Sequence, residues 1–354
     1  MNGTIELLNV GDGDAIIVSL DKENKNLIVV IDGGEQGDYI TKVKPALVKL
    51  LLEKGKKAPD IVVATHYDSD HIGGLIPLIE DYIQYISEVW VHRSPELSRE
   101  IGSFLKVDNE LSTKLYPNSF LFKNSNLKTE NTSISEEAMA VKSDFIVKSL
   151  KQLENFLGKI PKAKIKHVYH GYSFAEWPEI KVLGPTEAFY KSLFPKTMSL
   201  EQLIMEETID YKNVETINIQ KKITSFISST QNPCENLKTD TTAKLTPTNK
   251  ASIILSIDKG NKRFLFTGDA GISSFKNIPN WQQELANIHW LKIPHHGSDN
   301  NISKEIIGIM KPEYADNSGD SYQDNYILDC IANNERSLRA PRSTKSNGNL
   351  TMTI

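Results

Sequence analysis

The chain has 354 residues, a formal net charge of −4, 39% hydrophobic and 24% charged residues. At roughly 100–200 residues per domain, that length allows one large domain or two small ones, and the apolar content excludes wholesale disorder. The mild acidity argues against a protein held on nucleic acid by bulk charge, although a local basic groove is compatible with it.

The first segment alternates short apolar runs with Gly/Asp turns. Residues 4–10 read as a strand, Gly11-Asp12-Gly13-Asp14 as a turn, and residues 15–20 as a second strand. A polar loop over 21–26 leads to a third strand, 27–31, which ends in Asp32-Gly33-Gly34. This spacing predicts a β-meander. Residues 40–54 carry Val43, Ala46, Leu47, Leu50 and Leu51 near helical spacing and predict an amphipathic helix. Ile61-Val62-Val63-Ala64 is wholly apolar, as in a buried strand. A helix over 73–85 and a strand over 88–91 follow.

From about 94 to 165 the sequence is polar and mostly helical in pattern, with 136–157 the best helix. Strands return over 166–184, and residues 187–199 read as helical. Residues 228–249, rich in Thr, Asn, Pro and Lys, read as a loop or flexible insert. Strands over 252–257 and 263–266 flank the hairpin signal Asp258-Lys259-Gly260-Asn261. A strand over 290–293 runs into Pro294-His295-His296-Gly297-Ser298, and residues 348–354 read as a closing turn and edge strand.

Only two cysteines occur, Cys234 and Cys330. They give no disulfide framework and no cysteine zinc site, so two free thiols in a reducing compartment are expected. Residues 1–6 lack a basic n-region and a long apolar run, so no signal peptide is expected. The apolar stretches are shorter than the ~20 residues of a membrane span. A cytoplasmic protein with no membrane insertion is expected.

The chemistry concentrates in His66-Tyr67-Asp68-Ser69-Asp70-His71, which places two imidazoles and two carboxylates in one loop after a buried strand. Such loops display functional groups in α/β folds, and carboxylates gathered there call for a compensating cation. Thr267-Gly268-Asp269 presents another carboxylate just past a strand. His295-His296 follows a third strand. Half of the chain's eight histidines lie in the first and third of these loops.

Together with Val10-Gly11-Asp12-Gly13-Asp14-Ala15, Ile31-Asp32-Gly33-Gly34 and Gly73-Gly74, these loops resemble the metallo-β-lactamase superfamily. More closely, they are similar to the hydrolase domain of the competence DNA-uptake channel, without its membrane channel. The similarity covers residues 4–92 and 249–300. It implies an αββα sandwich, two mixed sheets flanked by helices, with a polar, largely helical insert. A single domain over 1–354 is expected, with insertions at 94–165 and 186–248. The superfamily's usual motif is His-x-His-x-Asp-His; here Asp68 stands at the second His, as in the competence-type branch. The superfamily's middle histidine ligand has no counterpart, because Gly184 falls at the matching place; His167 and His170 are possible substitutes.

The resemblance implies one metal held by His66, Asp68 and a bridging Asp269, and another by Asp70, His71, Asp269 and His295. His296 would touch substrate or assist leaving-group protonation; Asp70 and His296 are the candidates for a direct part in catalysis. Asp32 would hold the metal loop by hydrogen bonds. Three carboxylates and three imidazoles favour one or two Zn²⁺ or Mn²⁺ ions over Mg²⁺, and a metal-bound hydroxide would be the nucleophile.

The resemblance further implies phosphodiester hydrolysis, with a nucleic acid or nucleotide as substrate. The alternatives are a weakly active or non-catalytic metal-binding module working with a partner protein, for example in phage defence, and a lactonase or thioester-type hydrolase. Lys159, Lys162, Lys164 and Lys166 form either a phosphate-tracking strip or a solvated face.

Overall fold

A computed structural model describes residues 1–23, 25–93, 136–199, 202–203, 206–207, 232–239, 241–319 and 323–354. Much of the polar segment expected to be an insert, residues 94–135, lies outside these, as do residues 208–231.

Two seven-stranded sheets account for the described strands. The first is built from β1 (Asn2–Leu7), β2 (Ile16–Lys22), β3 (Lys25–Ile31), β4 (Ile61–Val63), β5 (Glu88–Trp90) and β6 (Ile165–Lys166), with β14 (Leu350–Thr353) on the outer side of β1. Its pairings are antiparallel from β14 through β3 and parallel from β3 through β6. The second contains β7 (Ser173–Phe174), β8 (Trp177–Gly184), β9 (Ile254–Lys259), β10 (Lys262–Phe266), β11 (Trp290–Lys292), β12 (Tyr314–Asn317) and β13 (Arg342–Ser343), in the order 13-12-11-10-9-8-7. It too is antiparallel at one side and parallel at the other.

Strand alternation explains the layers. Ile16, Val18 and Leu20 face the second sheet and pack in one core with Trp177, Ile180, Phe264, Phe266 and Trp290. Their neighbour Ile17, with Ile28, Val30 and Val62, points the other way, onto Val43, Leu47 and Leu51 of the helical segment spanning residues 36–54. On the far side, Leu265, Leu291 and Ala315 meet Phe275, Ile306, Met310 and Ile327. Period-2 burial on both faces of both sheets requires helix, sheet, sheet, helix. The helix over Glu136–Gly158 joins the first outer layer through Ile146, Leu150, Leu153 and Phe156.

Two expectations are corrected. Cys234 and Cys330 are not free thiols: they form a disulfide with a Cα–Cα distance of 4.9 Å across 96 residues of sequence. Nor is the stretch 228–249, read as a loop or flexible insert, flexible at its end, because Thr246 and Thr248 spend their hydrogen bonds inside the protein. Thr246 caps the Pro247–Lys250 helix by accepting from the Asn249 amide, and the Thr248 hydroxyl lies 2.6 Å from Glu207 Oε1 and 2.8 Å from Tyr67 Oη. The lysine run is also engaged. Lys159 pairs with Glu80 at 2.6 Å. Lys164 donates to the carbonyls of Ile83, Gln84 and Ile86, beyond the Leu75–Tyr82 helix. No helix among the described residues is long and apolar enough to cross a membrane.

A candidate metal centre between the two sheets

The C-terminal ends of β3, β4, β10, β11 and β12 converge on one edge of the sandwich. Asp32 follows β3, Thr65 to His71 follow β4, Asp269 follows β10, His295 and His296 follow β11, and Ser318 follows β12. Two glycines let the first loop sit where it does. A Cβ on Gly74 would stand 1.9 Å from the Gly33 carbonyl oxygen. One on Gly13, at φ +126°, would stand 2.3 Å from the Asp70 carbonyl. No larger residue fits either contact.

The buried Asp32 organises that loop. Its Oδ1 accepts from the Thr65 amide at 2.8 Å, and its Oδ2 accepts from the Thr65 hydroxyl at 2.6 Å and from His71 Nδ1 at 2.9 Å. This is the role expected from the sequence. Because the Thr65 proton goes to Asp32, the lone pairs of that hydroxyl face His66 Nδ1, 3.1 Å away. His66 and His71 therefore both donate from Nδ1 and turn Nε2 toward the centre. His295 does the same: its Nδ1 meets Asn301 Oδ1 at 2.9 Å, while Asn301 Nδ2 donates to the carbonyls of Asp269 and Ala270. Such outer contacts fix the tautomer of a metal-binding histidine.

Asp269 is the hub. Its Oδ2 lies 3.4 Å from His71 Nε2, 3.7 Å from His295 Nε2, and 3.8 Å from both His66 Nε2 and His296 Nε2. Asp68 Oδ2 is 3.6 Å from His66 Nε2. Asp70 Oδ2 is 3.8 Å from His71 Nε2 and 3.7 Å from His296 Nε2. All seven residues singled out from the sequence therefore lie together. Two groups have ligand atoms close enough to share an ion: His66, His71 and Asp269, and Asp70, His71 and His296. The second group contains His296, which the sequence reading kept for the substrate side. A third candidate group, Asp14, Asp32 and His71, already spends Asp32 Oδ2 on His71 Nδ1. His167 and His170 belong to none of these groups; each is fastened by Nδ1 to a backbone carbonyl, Val91 and Leu183 respectively.

The buried imidazoles and carboxylates hold one another's charges strongly. Burial would push the Asp269 carboxyl up, but His71, His295 and His296 outweigh it and hold the group well below the usual carboxylate range. Burial would push the His71 imidazole down, yet Asp269, Asp70 and Asp32 raise it well above its ordinary value. For His66, burial and His71 are likewise overcome by Asp68 and Asp269, and its pKa rises. His296 is pushed down, by burial first. The buried atoms His66 Nε2, His71 Nε2 and Asp269 Oδ1 have no hydrogen-bond partner among the described residues. Orphaned polar atoms of this kind are costly, and a divalent cation would satisfy all three. The residues fit a metal.

The backbone is strained where it serves this centre. Asp32, His295 and His296 have φ values of 56°, 47° and 54°. For residues with a Cβ, this left-handed region costs roughly 1–2 kcal/mol each and persists only where the surroundings over-determine it. The His295 amide donates to the Gly268 carbonyl at 3.2 Å, and Asn317 Nδ2 donates to the His296 carbonyl at 2.9 Å.

Residues 9–95 match the family model of the metallo-beta-lactamase superfamily. No curated protein matches the chain. The four layers are those of the metallo-β-lactamase sandwich, and the matched segment carries the whole His66–His71 loop. The metallo-β-lactamase match and the clustered His and Asp side chains together support a metal-dependent hydrolase. Several contributors escaped the sequence reading: Asn301, Asn317, Ser318 and the buried pair Asp14–Lys292. Asp14 lies in the Val10–Ala15 motif and Lys292 in the strand expected over 290–293, but nothing local in the sequence shows that they pair.

Proposed function

We propose that this chain is a metal-dependent phosphodiesterase or nuclease, with one or two Zn²⁺ or Mn²⁺ ions held by His66, Asp68, Asp70, His71, Asp269 and His296. The observation that carries this reading is the carboxylate content of the cluster. Asp68, Asp70 and Asp269 all face the imidazoles within 3.8 Å, a harder donor set than histidines alone, suited to ions that also bind phosphate oxygens. A bound dication lowers the pKa of its water toward ~7 and stabilises charge on a phosphoryl oxygen. The Asp68 and Asp70 side chains retain 19% and 23% of their exposure, whereas those of His66 and His71 are closed off. We therefore place substrate on the Asp68–Asp70 side.

The expected roles of the histidine pair exchange in this reading. His296 is fully buried with Nε2 between Asp70 and Asp269, so we assign it to the metal. His295 is the more exposed of the two, which makes it the group to orient substrate or pass a proton to the leaving oxygen. Because ligands come from both sheets, we read residues 1–354 as one domain, with 94–165 and 186–248 inserted in it.

The test is turnover of bis-p-nitrophenyl phosphate, single- and double-stranded DNA, and cyclic nucleotides with Mn²⁺, Zn²⁺ or Mg²⁺. Metal-dependent hydrolysis abolished by Asp269→Asn is the expected result. Absence of turnover on every phosphodiester, with hydrolysis of a lactone or thioester instead, would sink the proposal.

A further inference from the structure

Lys292 is fully buried, and its Nζ forms an ion pair with the equally buried Asp14. Among the described residues, that ammonium makes one further hydrogen bond, a 3.4 Å contact with the Gly268 carbonyl. An ion pair in so dry a place is costly to bury and contributes little net stability, so its presence needs another reason. Asp14 Oδ1 accepts the proton of the Ser318 hydroxyl. Ser318 in turn meets His296: its Oγ lies 3.2 Å and its carbonyl oxygen 3.1 Å from Nδ1.

The polarity of this chain follows from its ends. Lys292 can only donate, so Asp14 accepts from it and from Ser318. With its proton committed to Asp14, the Ser318 hydroxyl turns lone pairs to His296. Both Ser318 oxygens then act as acceptors, and His296 must carry its proton on Nδ1. Nε2 is left to face Asp70 Oδ2 at 3.7 Å and Asp269 Oδ2 at 3.8 Å.

We propose that the buried chain Lys292–Asp14–Ser318 sets the tautomer and orientation of His296, making Asp14 and Ser318 positioning residues for the metal centre. The inference rests on the metal-binding reading of the same site. Asp14→Asn should reverse the chain. The new amide must turn its oxygen to Lys292 and its NH₂ to Ser318, which frees the Ser318 proton to point at Nδ1. Ser318→Ala removes the relay and leaves the Lys292–Asp14 pair intact.

Two measurements decide it. Nitrogen-15 NMR of the metal-free chain reads the His296 tautomer, and titration calorimetry with Mn²⁺ reads affinity. The wild type should show Nδ1–H at His296; Asp14→Asn should weaken that preference, whereas Ser318→Ala, which keeps the backbone carbonyl 3.1 Å from Nδ1, should retain the tautomer and lose the hydroxyl that orients the ring. The Mn²⁺ affinity of both variants should fall by about 10–100-fold, the usual effect of removing such an outer contact. A Ser318→Ala protein with wild-type Mn²⁺ affinity, or an Asp14→Asn protein with both the wild-type tautomer and wild-type affinity, overturns the inference, even if its melting temperature falls. If Asp14→Asn does not fold, Ser318→Ala decides alone. A wild-type chain that shows the tautomer but takes up no Mn²⁺ refutes the metal reading rather than the chain's control of His296.

Discussion

Replacing Asp32 by Asn keeps the size and shape of the side chain but removes one acceptor from a site where both oxygens are used. Three donors converge on Asp32: the Thr65 amide, the Thr65 hydroxyl and His71 Nδ1. If the amide oxygen takes the Oδ2 place, its NH₂ confronts the Thr65 N–H. If it takes the Oδ1 place, NH₂ faces His71, which must shift its own proton to Nε2, the atom that faces Asp269. Either way a charge-assisted hydrogen bond is lost, about 1.5–3 kcal/mol, and metal affinity should fall about 10–100-fold. The two effects separate in urea unfolding with and without Mn²⁺. At a metal concentration about 100 times the wild-type Kd, binding stabilises the wild type by about 2.7 kcal/mol. A hundredfold weaker variant gains only about 0.4 kcal/mol under the same conditions. A variant that is destabilised but shows the full metal-induced shift would refute the argument that Asp32 acts through His71.

Two further outcomes follow from groups away from the metal. His92 is buried, stacked on Tyr169 and bonded to the Val168 carbonyl, and burial pushes its imidazole down to about 4. The unfolded chain binds that proton near its ordinary value of 6.5, so stability from this group is intact above that pH. It should decline on the order of 3 kcal/mol as pH falls through the window from 6.5 to 4; urea titrations of wild type and His92→Leu across that range should show the slope only in the wild type. Reduction of the Cys234–Cys330 disulfide, or Cys330→Ser, should cost about 2–4 kcal/mol, since the bond closes a long loop; the native chain should show no titratable thiol before reductant is added, and a finding of two would contradict the bond.

Much of the site was legible because its residues are short-range neighbours with a chemical signature. Four potential ligands, two His and two Asp, in six positions after Ile61–Val63 announce themselves, as do paired histidines after Trp290–Lys292. What supports them is legible only in three dimensions. Asp14 and Lys292 are 278 positions apart in number and meet because β2 and β11 belong to facing sheets. Asn317 and Ser318 lie in a stretch without conspicuous chemistry, yet they hold the His296 turn. The two cysteines were read as free thiols because spacing alone carries no distance information. Residues 228–249 were read as a loop or flexible insert from composition, and composition cannot tell a solvated threonine from Thr248, whose hydroxyl sits between Glu207 and Tyr67. The preference for His295 over His296 as ligand rested on its place directly after the strand and Pro294; sequence position does not show the three successive left-handed residues, His295, His296 and Gly297, with which His296 is the more deeply buried of the two.

The distribution of the site over strand ends of both sheets has a consequence for the making of the protein. The first half of the chain supplies Asp32 and the His66–His71 loop, but Asp269 and the paired histidines emerge from the ribosome some two hundred residues later, and the Ser318 support for His296 later still. A nascent chain holding only β1 to β6 cannot gather the cluster, however much secondary structure it has formed. Assembly of the metal centre is thereby tied to the closing together of the sandwich, and a truncated or half-folded product would lack it.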